Sequence, residues 1–207
     1  MKNKIILNNY YSNFSKNDYN INYYRNKFNN NDIVGIINID SLNISNLILK
    51  GRNNSYYLNH LENKIANIYG SIMLDYRTDL SNDSINIIYG NTSNSYVTPF
   101  NKLLKYLDYD FYKDNKIIEI MDEYSIYKYE IFSVAKVNKN NYKHLYVNLD
   151  NYEHLEQLKC FKNISIYKEN IILNNNDKVL ILETYLNNSK QYILVIAKLI
   201  KYMYKQL

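Results

Sequence analysis

Eight short segments rich in β-branched residues recur along this 207-residue chain, and they constrain its fold more than any other feature. Such residues favour strands. Many short strands with few helices in one domain predict a mainly β fold, either a closed or nearly closed barrel or a sandwich. The eight segments are Ile33 to Ile39, Ile44 to Lys50, Gly70 to Asp75, Ile85 to Gly90, Lys116 to Met121, Tyr127 to Val137, Lys178 to Thr184 and Tyr192 to Ile200.

Helical patterns are fewer and shorter. Residues 1–31 are polar and rich in Asn, and a weak apolar stripe there predicts an N-terminal helix with a frayed start. Short helices are also predicted over residues 55–68, 98–107 and 151–161, the second with Pro99 near its first turn. The N-terminal stripe consists of Tyr19, Ile21, Tyr23, Tyr24 and Phe28, and the last helix places Leu155, Leu158 and Phe161 roughly on one face.

The chain shows no internal repeat and no clear linker. We therefore divide it into an N-terminal extension with its helix, residues 1–31, and one barrel domain, residues 32–207. A chain of this length can bury a substantial core in a single domain, and it is rather short for two.

Charge and cysteine content argue against several classes of function. The net charge is +5, but basic and acidic residues alternate and no nucleic-acid motif occurs, so we expect no nucleic-acid partner. Cys160 is the only cysteine, and His60, His144 and His154 are scattered without the spacing of a metal site. We therefore expect neither a disulfide within the chain nor a metal or other cofactor.

The first residues contain only a three-residue apolar run, Ile5 to Leu7. This run is too short for a signal peptide or a membrane span. The sequence thus leaves two readings: either the protein stays inside the cell, or its start has lost an anchor.

A series of short motifs resembles the class B sortase family in order and spacing over roughly residues 31–201. The motifs are NDIVGIINI, YYLNH, GSIMLDYR, IIYGN, LLKYLDYDFY, YKYEIFSV and AKLI. The resemblance implies an eight-stranded β-barrel with an N-terminal helix and a helix in the long connection before the seventh strand. It also implies cysteine transpeptidase chemistry and a membrane-anchored, extracytoplasmic setting.

The resemblance further implies a catalytic histidine after the Tyr-Gly of the fourth strand, a cysteine ending the seventh strand and an arginine entering the eighth. Here the first position is Asn91, which cannot exchange a proton near neutral pH. The second is Tyr185. A free phenol, with a reference pKa of about 10, leaves very little of the nucleophilic phenolate at neutral pH, whereas a thiol of about 8.5 is easily activated. The eighth strand begins with Lys190, Gln191 and Tyr192, and none is an arginine.

We interpret the chain as a catalytically inactive, sortase-like protein. Its richness in Asn and Tyr suggests an A+T-rich genome, in which these replacements arise easily once catalysis is no longer selected. The expected partner is a peptide resembling a sorting signal, or a cell-surface protein such as an active sortase. Candidate peptide-binding residues are Asn91, Thr184 and Tyr185, and we predict that Asn91 and Tyr185 lie within about 15 Å of each other.

Two alternatives remain open: an unrelated barrel, and an enzyme whose chemistry has moved to Cys160, as a cysteine transpeptidase or another hydrolase. On a helix His154 and Cys160 would be about 240° apart and would not share a face. We expect Cys160 to be a small buried apolar residue. His60 is expected to be structural, and Asp75 and Arg77 are expected to form a local ion pair.

Overall fold

Eight strands close into a single barrel in the computed structural model, which describes residues 20–93, 98–138, 150–186 and 190–205. Around the barrel the strands follow the order β1-β2-β3-β4-β7-β8-β6-β5. The predicted barrel is thereby confirmed, and the alternative of a sandwich is wrong. The strands are β1 Ile33–Ile39, β2 Ile44–Leu49, β3 Met73–Leu74, β4 Ile85–Gly90, β5 Ile117–Met121, β6 Ser125–Asn138, β7 Val179–Leu186 and β8 Gln191–Tyr204.

The third strand is much shorter than the sequence pattern predicts. Only Met73 and Leu74 pair as a strand, although the apolar run begins at Gly70. Gly70 has a φ of 61°, which turns the chain out of extended geometry. The Ser71 N–H then donates to the Tyr57 carbonyl instead of to a neighbouring strand. The connection before β3 therefore folds back on itself.

Strands β4 and β7 pair in parallel, from Ile85 opposite Val179 to Gly90 opposite Thr184. Strand β8 runs antiparallel beside β7 and places Tyr192 opposite Tyr185. The C-terminal ends of β4 and β7 and the start of β8 consequently meet at one end of the barrel.

Strands β4 and β7 are apolar on both faces because both faces are covered. Leu180 and Leu182 point into the barrel interior, whereas Val179 and Ile181 belong to a second cluster outside it. A helix in the connection between β6 and β7 covers this second cluster. A near-continuous apolar run, without polar alternation, is the pattern that such a doubly covered strand requires.

The predicted N-terminal helix is confirmed as α1, Ile21–Phe28. It buries Ile21 and Tyr24 against the barrel, and each such side chain contributes about 1.5–3 kcal/mol. Asn20 caps its start by accepting a hydrogen bond from the Tyr23 N–H. Residues 1–19, which include Tyr19 of the predicted stripe, lie outside the described residues.

Two of the three other predicted helices are present. Residues 98–107 form a 3₁₀ helix, Pro99–Leu107, and a further helix that the pattern did not predict follows as α2, Tyr109–Asp114. The helix before β7 is confirmed as α3, Asn151–Asn163. Its position agrees with the helix that the class B sortase resemblance implies.

The helix predicted over residues 55–68 is wrong. Only Tyr56–Leu58 forms one 3₁₀ turn, and an isolated bridge between His60 and Ala66 follows. The segment instead turns back within its length, because Lys64 has a φ of 64° and the Asn67 N–H donates to the Asn59 carbonyl at 2.8 Å.

Candidate active-site remnant

The ends of β4, β7 and β8 bring most of the predicted site residues together. Asn91 and Tyr185 each come one residue after the paired Gly90 and Thr184. Paired strands lie about 4.8 Å apart, so the predicted separation of less than about 15 Å is confirmed. The Thr92 hydroxyl also donates to the Tyr185 carbonyl and links the two strand ends directly.

Strand alternation places four side chains near these strand ends on the outer face of the barrel. Val179 and Ile181 belong to the outer cluster, so Glu183 and Tyr185 continue along the same face. Tyr89 pairs with Glu183, and Tyr192 pairs with Tyr185. We call this set, Tyr89, Glu183, Tyr185 and Tyr192, the tyrosine face.

Asn91 binds the long connection between β2 and β3. Its amide nitrogen donates to the carbonyl of Leu58 and, at 3.4 Å, to that of Tyr69. Its own backbone carbonyl accepts from the Thr98 hydroxyl. Asn91 therefore holds two segments of chain together, and it offers no titratable group. Beside it a cleft of about 50 Å³ is lined by residues of β2, residues 69–72 and residues 98–100.

Thr184 and Tyr185 have different environments although they are adjacent. The Thr184 side chain is buried, and its hydroxyl donates to the Gly90 carbonyl at 2.7 Å. The Tyr185 side chain is 39% exposed, and its ring meets that of Tyr192 edge to face with centroids 5.3 Å apart. Thr184 thus joins β7 to β4, whereas Tyr185 is open to a ligand.

At the start of β8, the strand register shows whether Gln191 or Tyr192 lies beside Tyr185. Gln191 pairs with Leu186 and donates to the Asn138 side chain at 3.0 Å. Tyr192 lies directly opposite Tyr185 on the outer face. Burial, with a smaller effect from Glu183, raises the pKa of the Tyr192 phenol. Tyr192, rather than Gln191, therefore shares the site, while Lys190 is exposed in the preceding turn.

The predicted ion pair between Asp75 and Arg77 is present, and it is linked to this site through a hydrogen bond from Tyr89. Arg77 Nε and Nη2 donate to the Asp75 carboxylate at 2.9 and 2.7 Å, and the Tyr89 hydroxyl donates to it at 2.8 Å. Burial alone would raise the pKa of Asp75, but these hydrogen bonds outweigh it and hold that pKa below its usual range. Burial and the Asp75 charge in turn raise the pKa of Tyr89.

Sequence reasoning missed Tyr89 and Glu183 as members of the site. The signal was available, because period-two alternation from Tyr185 leads back to Glu183 on the same face. Periodicity could not have indicated Tyr89, because its place beside Glu183 depends on the parallel register of β4 and β7.

The only thiol of the chain lies on α3. Cys160 is exposed, so the expectation that it is buried is wrong. His154 of the same helix is buried and faces the Asp177 carbonyl at 2.8 Å, which confirms that the two side chains lie on different faces. His60 is structural as expected: it stacks on Tyr56 and hydrogen bonds to the Tyr56 carbonyl. His144 lies outside the described residues.

In residues 20–93, 98–138, 150–186 and 190–205, none of the helices has both the length and the hydrophobicity of a membrane span. No group of three or more His, Cys, Asp or Glu side chains is arranged there to hold a metal ion.

Comparison with known proteins identifies relatives of one kind. No family model matches the sequence. Sortase B from Staphylococcus aureus is 32% identical over 179 residues, which cover 83% of this chain and 72% of that protein. Sortase B from Listeria monocytogenes is 31% identical over 159 residues, or 75% of this chain and 63% of that protein.

Solved structures lead to the same family. Sortase B from Clostridium perfringens superposes with a TM-score of 0.78 at 28% identity, covering 87% of this chain and 99% of that one. A Staphylococcus aureus sortase B–substrate complex gives a TM-score of 0.78 at 27% identity, covering 89% and 87%. With a shared barrel and 32% identity across most of both sequences, the chain belongs to the class B sortase family.

Proposed function

We propose that this chain is a sortase-like protein that binds a peptide resembling a sorting signal but does not catalyse transpeptidation. One observation carries the proposal. The ends of β4, β7 and β8 meet as a sortase site requires, but they present Asn91, Tyr185 and Tyr192. The resemblance to active sortases implies His, Cys and Arg at these places.

The side chains at the site do not suit nucleophilic attack on a peptide bond. Such attack needs an activated nucleophile and a group that accepts and returns its proton. A phenol is a much weaker candidate for this role than a thiol, because phenols as a class lose their proton only near pH 10. The Asn91 amide, which is not a base, is engaged with the carbonyls of Leu58 and Tyr69.

Peptide binding is supported by the surface that remains at the site. Tyr185 is 39% exposed beside Tyr192, and an aromatic pair at a strand end offers apolar area together with hydroxyl groups. A Staphylococcus aureus sortase B of the same fold has been solved with its substrate. We place the peptide of this chain at the C-terminal end of β7, in contact with Tyr185.

The activity test uses a fluorogenic sorting peptide with an amine acceptor, and an active class B sortase as positive control. We expect no cleavage above buffer and no covalent adduct by intact-protein mass spectrometry. Turnover that disappears in Cys160→Ala would overturn the proposal and support chemistry relocated to the exposed thiol. Turnover that survives Cys160→Ala would overturn it as well, because another nucleophile would then be required.

The binding test measures the fluorescence anisotropy of a labelled sorting peptide. We expect Tyr185→Ala to weaken binding about tenfold, the effect of losing one buried aromatic contact. Tyr152→Ala is the matched control, because Tyr152 is a 76% exposed tyrosine on α3 and does not belong to the strand ends that form the site. Equal losses in both variants, or no binding by the unmodified chain, would contradict the proposed peptide site.

A further inference from the structure

The last residues of β8 extend beyond the start of the neighbouring strand β7. The final backbone contact between the two strands joins the Leu199 N–H to the Lys178 carbonyl at 2.8 Å. Strand β8 then continues to Tyr204, and within the described ranges its only strand partner over this stretch is β6. Residues 201–204 are all exposed, and we call them the free edge of β8.

Two residues of the free edge direct their backbone groups away from β6. The Lys205 N–H donates to the Tyr124 carbonyl at 2.8 Å, and in an antiparallel ladder every second residue forms such bonds while the others point to the opposite side. Met203 therefore bonds to β6, whereas the N–H and carbonyl groups of Tyr202 and Tyr204 point to the side that β7 leaves open. An exposed edge with such groups is a template for another extended chain.

The tyrosine rings of the free edge form a short ladder on one face. Tyr202 lies opposite the buried Tyr127, with ring centroids 5.7 Å apart, and the Tyr204 ring meets that of Tyr202 edge to face at 4.9 Å. Tyr204 ends the ladder and is 75% exposed. Side chains of an added strand on this face pack on the rings, because cross-strand aromatic contacts stabilise paired strands.

The opposite face of the free edge carries positive charge. Lys201 lies opposite Lys128 of β6, so the two ammonium groups belong to neighbouring side chains. Lys128 reaches the Glu119 carboxylate at 3.8 Å, but no carboxylate of the described chain lies within ion-pair distance of the exposed Lys201. A carboxylate on an added strand is therefore attracted to Lys201.

We propose that the free edge of β8 binds an extended acidic peptide by strand addition. The peptide backbone pairs with the N–H and carbonyl groups of Tyr202 and Tyr204, and these main-chain hydrogen bonds supply affinity. An acidic side chain opposite Lys201 supplies the preference for negative charge. This inference goes beyond the proposed function, since the free edge lies at the end of β8 remote from Tyr192 and shares no residue with the sorting-peptide site.

A second copy of this chain fits the free edge less well than an acidic peptide does. Two antiparallel copies satisfy all the outward backbone groups only when Tyr202 of each copy lies opposite Tyr204 of the other. That register also places Lys201 of each copy opposite Lys205 of the other, because both pairs are centred on Met203. Like charges directly opposite each other destabilise paired strands, whereas a carboxylate in the same place is attracted.

The charge preference is tested with two fluorescently labelled peptides, one of alternating glutamate and valine and one of alternating glutamine and valine. Fluorescence anisotropy measures their binding to the full chain. We expect the dissociation constant of the glutamate peptide to be lower by about threefold, the effect of one exposed ion pair. Lys201→Gln should remove this difference, whereas Lys136→Gln, which changes an exposed lysine elsewhere on β6, should preserve it.

Strand addition is tested separately by two substitutions at Tyr204. Tyr204→Ala and Tyr204→Pro both remove the ring, but only proline also removes the N–H that points to the open side. That N–H does not bond to β6, so proline leaves the ladder intact. We expect the glutamate peptide to bind Tyr204→Pro about fivefold more weakly than Tyr204→Ala, the effect of one lost hydrogen bond. Equal thermal unfolding midpoints show that the two variants are equally folded.

Each result supports or overturns one part of the proposal. Absence of binding, equal binding of the two peptides, or a preference that survives Lys201→Gln would overturn the acidic ligand. Equal binding by Tyr204→Ala and Tyr204→Pro would overturn strand addition. Sedimentation velocity of the unmodified chain should show a monomer, and a dimer that Tyr204→Pro dissociates would overturn the proposal in favour of a second copy.

Discussion

At the scale of single residues, the sequence predicts which family position Asn91 occupies, but only the structure shows which residues it contacts. The motif after the fourth strand predicts that Asn91 stands where the family resemblance implies a histidine. Its hydrogen-bond partner Leu58 is 33 residues away, in a connection wrongly predicted as a helix. Contacts between two irregular segments leave no periodic signal, so pattern reasoning could not have found them.

The first prediction tests whether positions 91 and 185 still meet as a reactive pair. In a Cys160→Ser background, Tyr185→Cys introduces one thiol, and Asn91→His adds an imidazole on the neighbouring strand end. A nearby imidazolium stabilises a thiolate, so the apparent pKa of the thiol should be lower in the variant that also carries Asn91→His. The measurement is the rate of alkylation by iodoacetamide as a function of pH.

The Cys160→Ser background matters because Cys160 is exposed and would itself be alkylated. Restored peptide cleavage is not expected, since catalytic geometry tolerates only about 0.5 Å of error. Superimposable pH profiles with and without Asn91→His would contradict our placement of the ancestral active site.

The second prediction concerns Asp75, which is wholly buried below the site. Asp75→Asn weakens the bonds from Arg77 and Tyr89 and should lower the free energy of unfolding by about 2 kcal/mol at pH 7, since Arg77 remains partly solvated. Asp110→Asn is the control, because the Asp110 side chain is 83% exposed in its pair with Lys113 and its replacement should leave the stability close to that of the unmodified chain. Urea denaturation measures both variants.

The pH dependence of that difference follows from the lowered pKa of Asp75. A carboxyl group whose pKa is lower in the folded state stabilises the fold above its unfolded pKa of about 3.9, and this contribution is lost as the pH falls through the folded value. The gap between the unmodified chain and Asp75→Asn should therefore narrow below about pH 4. A constant gap down to pH 2 would contradict the assigned role.

At the scale of elements, apolar runs predicted the strands well where both faces are buried. Strand β4 matches its prediction over Ile85–Gly90 because burial on both sides favours a mostly apolar run, which only Asn86 interrupts. The same logic fails for β3, where a positive φ at Gly70 and local hydrogen bonds shorten the strand. Such boundaries are decided by turn geometry and local hydrogen bonds, and the positions of apolar residues in the sequence give no information about either.

The third prediction addresses the end of β4. A Cβ at Gly90 would lie 2.4 Å from the ring of Phe100, a buried side chain of the barrel interior. Gly90→Ala should therefore destabilise the protein by about 1–3 kcal/mol through overpacking. Gly51→Ala is the control, because a Cβ there would meet its nearest neighbours at 3.4 Å, an ordinary contact distance. Similar melting temperatures for both variants would contradict this assignment.

The fourth prediction separates the two faces of α3. Leu158 is buried against the outer cluster, and Leu158→Ala should cost about 2–5 kcal/mol of unfolding free energy. Cys160→Ser, on the exposed side of the same helix, should stay within about 0.5 kcal/mol of the unmodified chain. A large loss in Cys160→Ser, measured by urea denaturation, would mean that the thiol is packed after all.

At the scale of the whole molecule, the pattern predicted eight strands, and the family resemblance predicted that the ends of the fourth and seventh strands lie close together. Periodicity indicates whether a segment is extended and which of its faces are buried, but it does not indicate which strands pair with each other. Here β4 pairs with β7, and β6 pairs with β8. These pairings are set by packing between distant segments, so the juxtaposition of Asn91 and Tyr185 could be predicted only through the resemblance.

The parallel pairing of β4 with β7 also has a kinetic consequence. Gly90 and Thr184 are 94 residues apart in sequence, so the site depends on contacts of very high contact order. Such contacts must overcome a large loop-closure entropy, and barrels dominated by them fold in about milliseconds to seconds. During synthesis β4 leaves the ribosome long before β7 is made, so the backbone groups of β4 that pair with β7 have no partner until then. The strand ends at which we propose a peptide site are therefore expected among the last parts of the molecule to form, and binding of a peptide there would report that folding is complete.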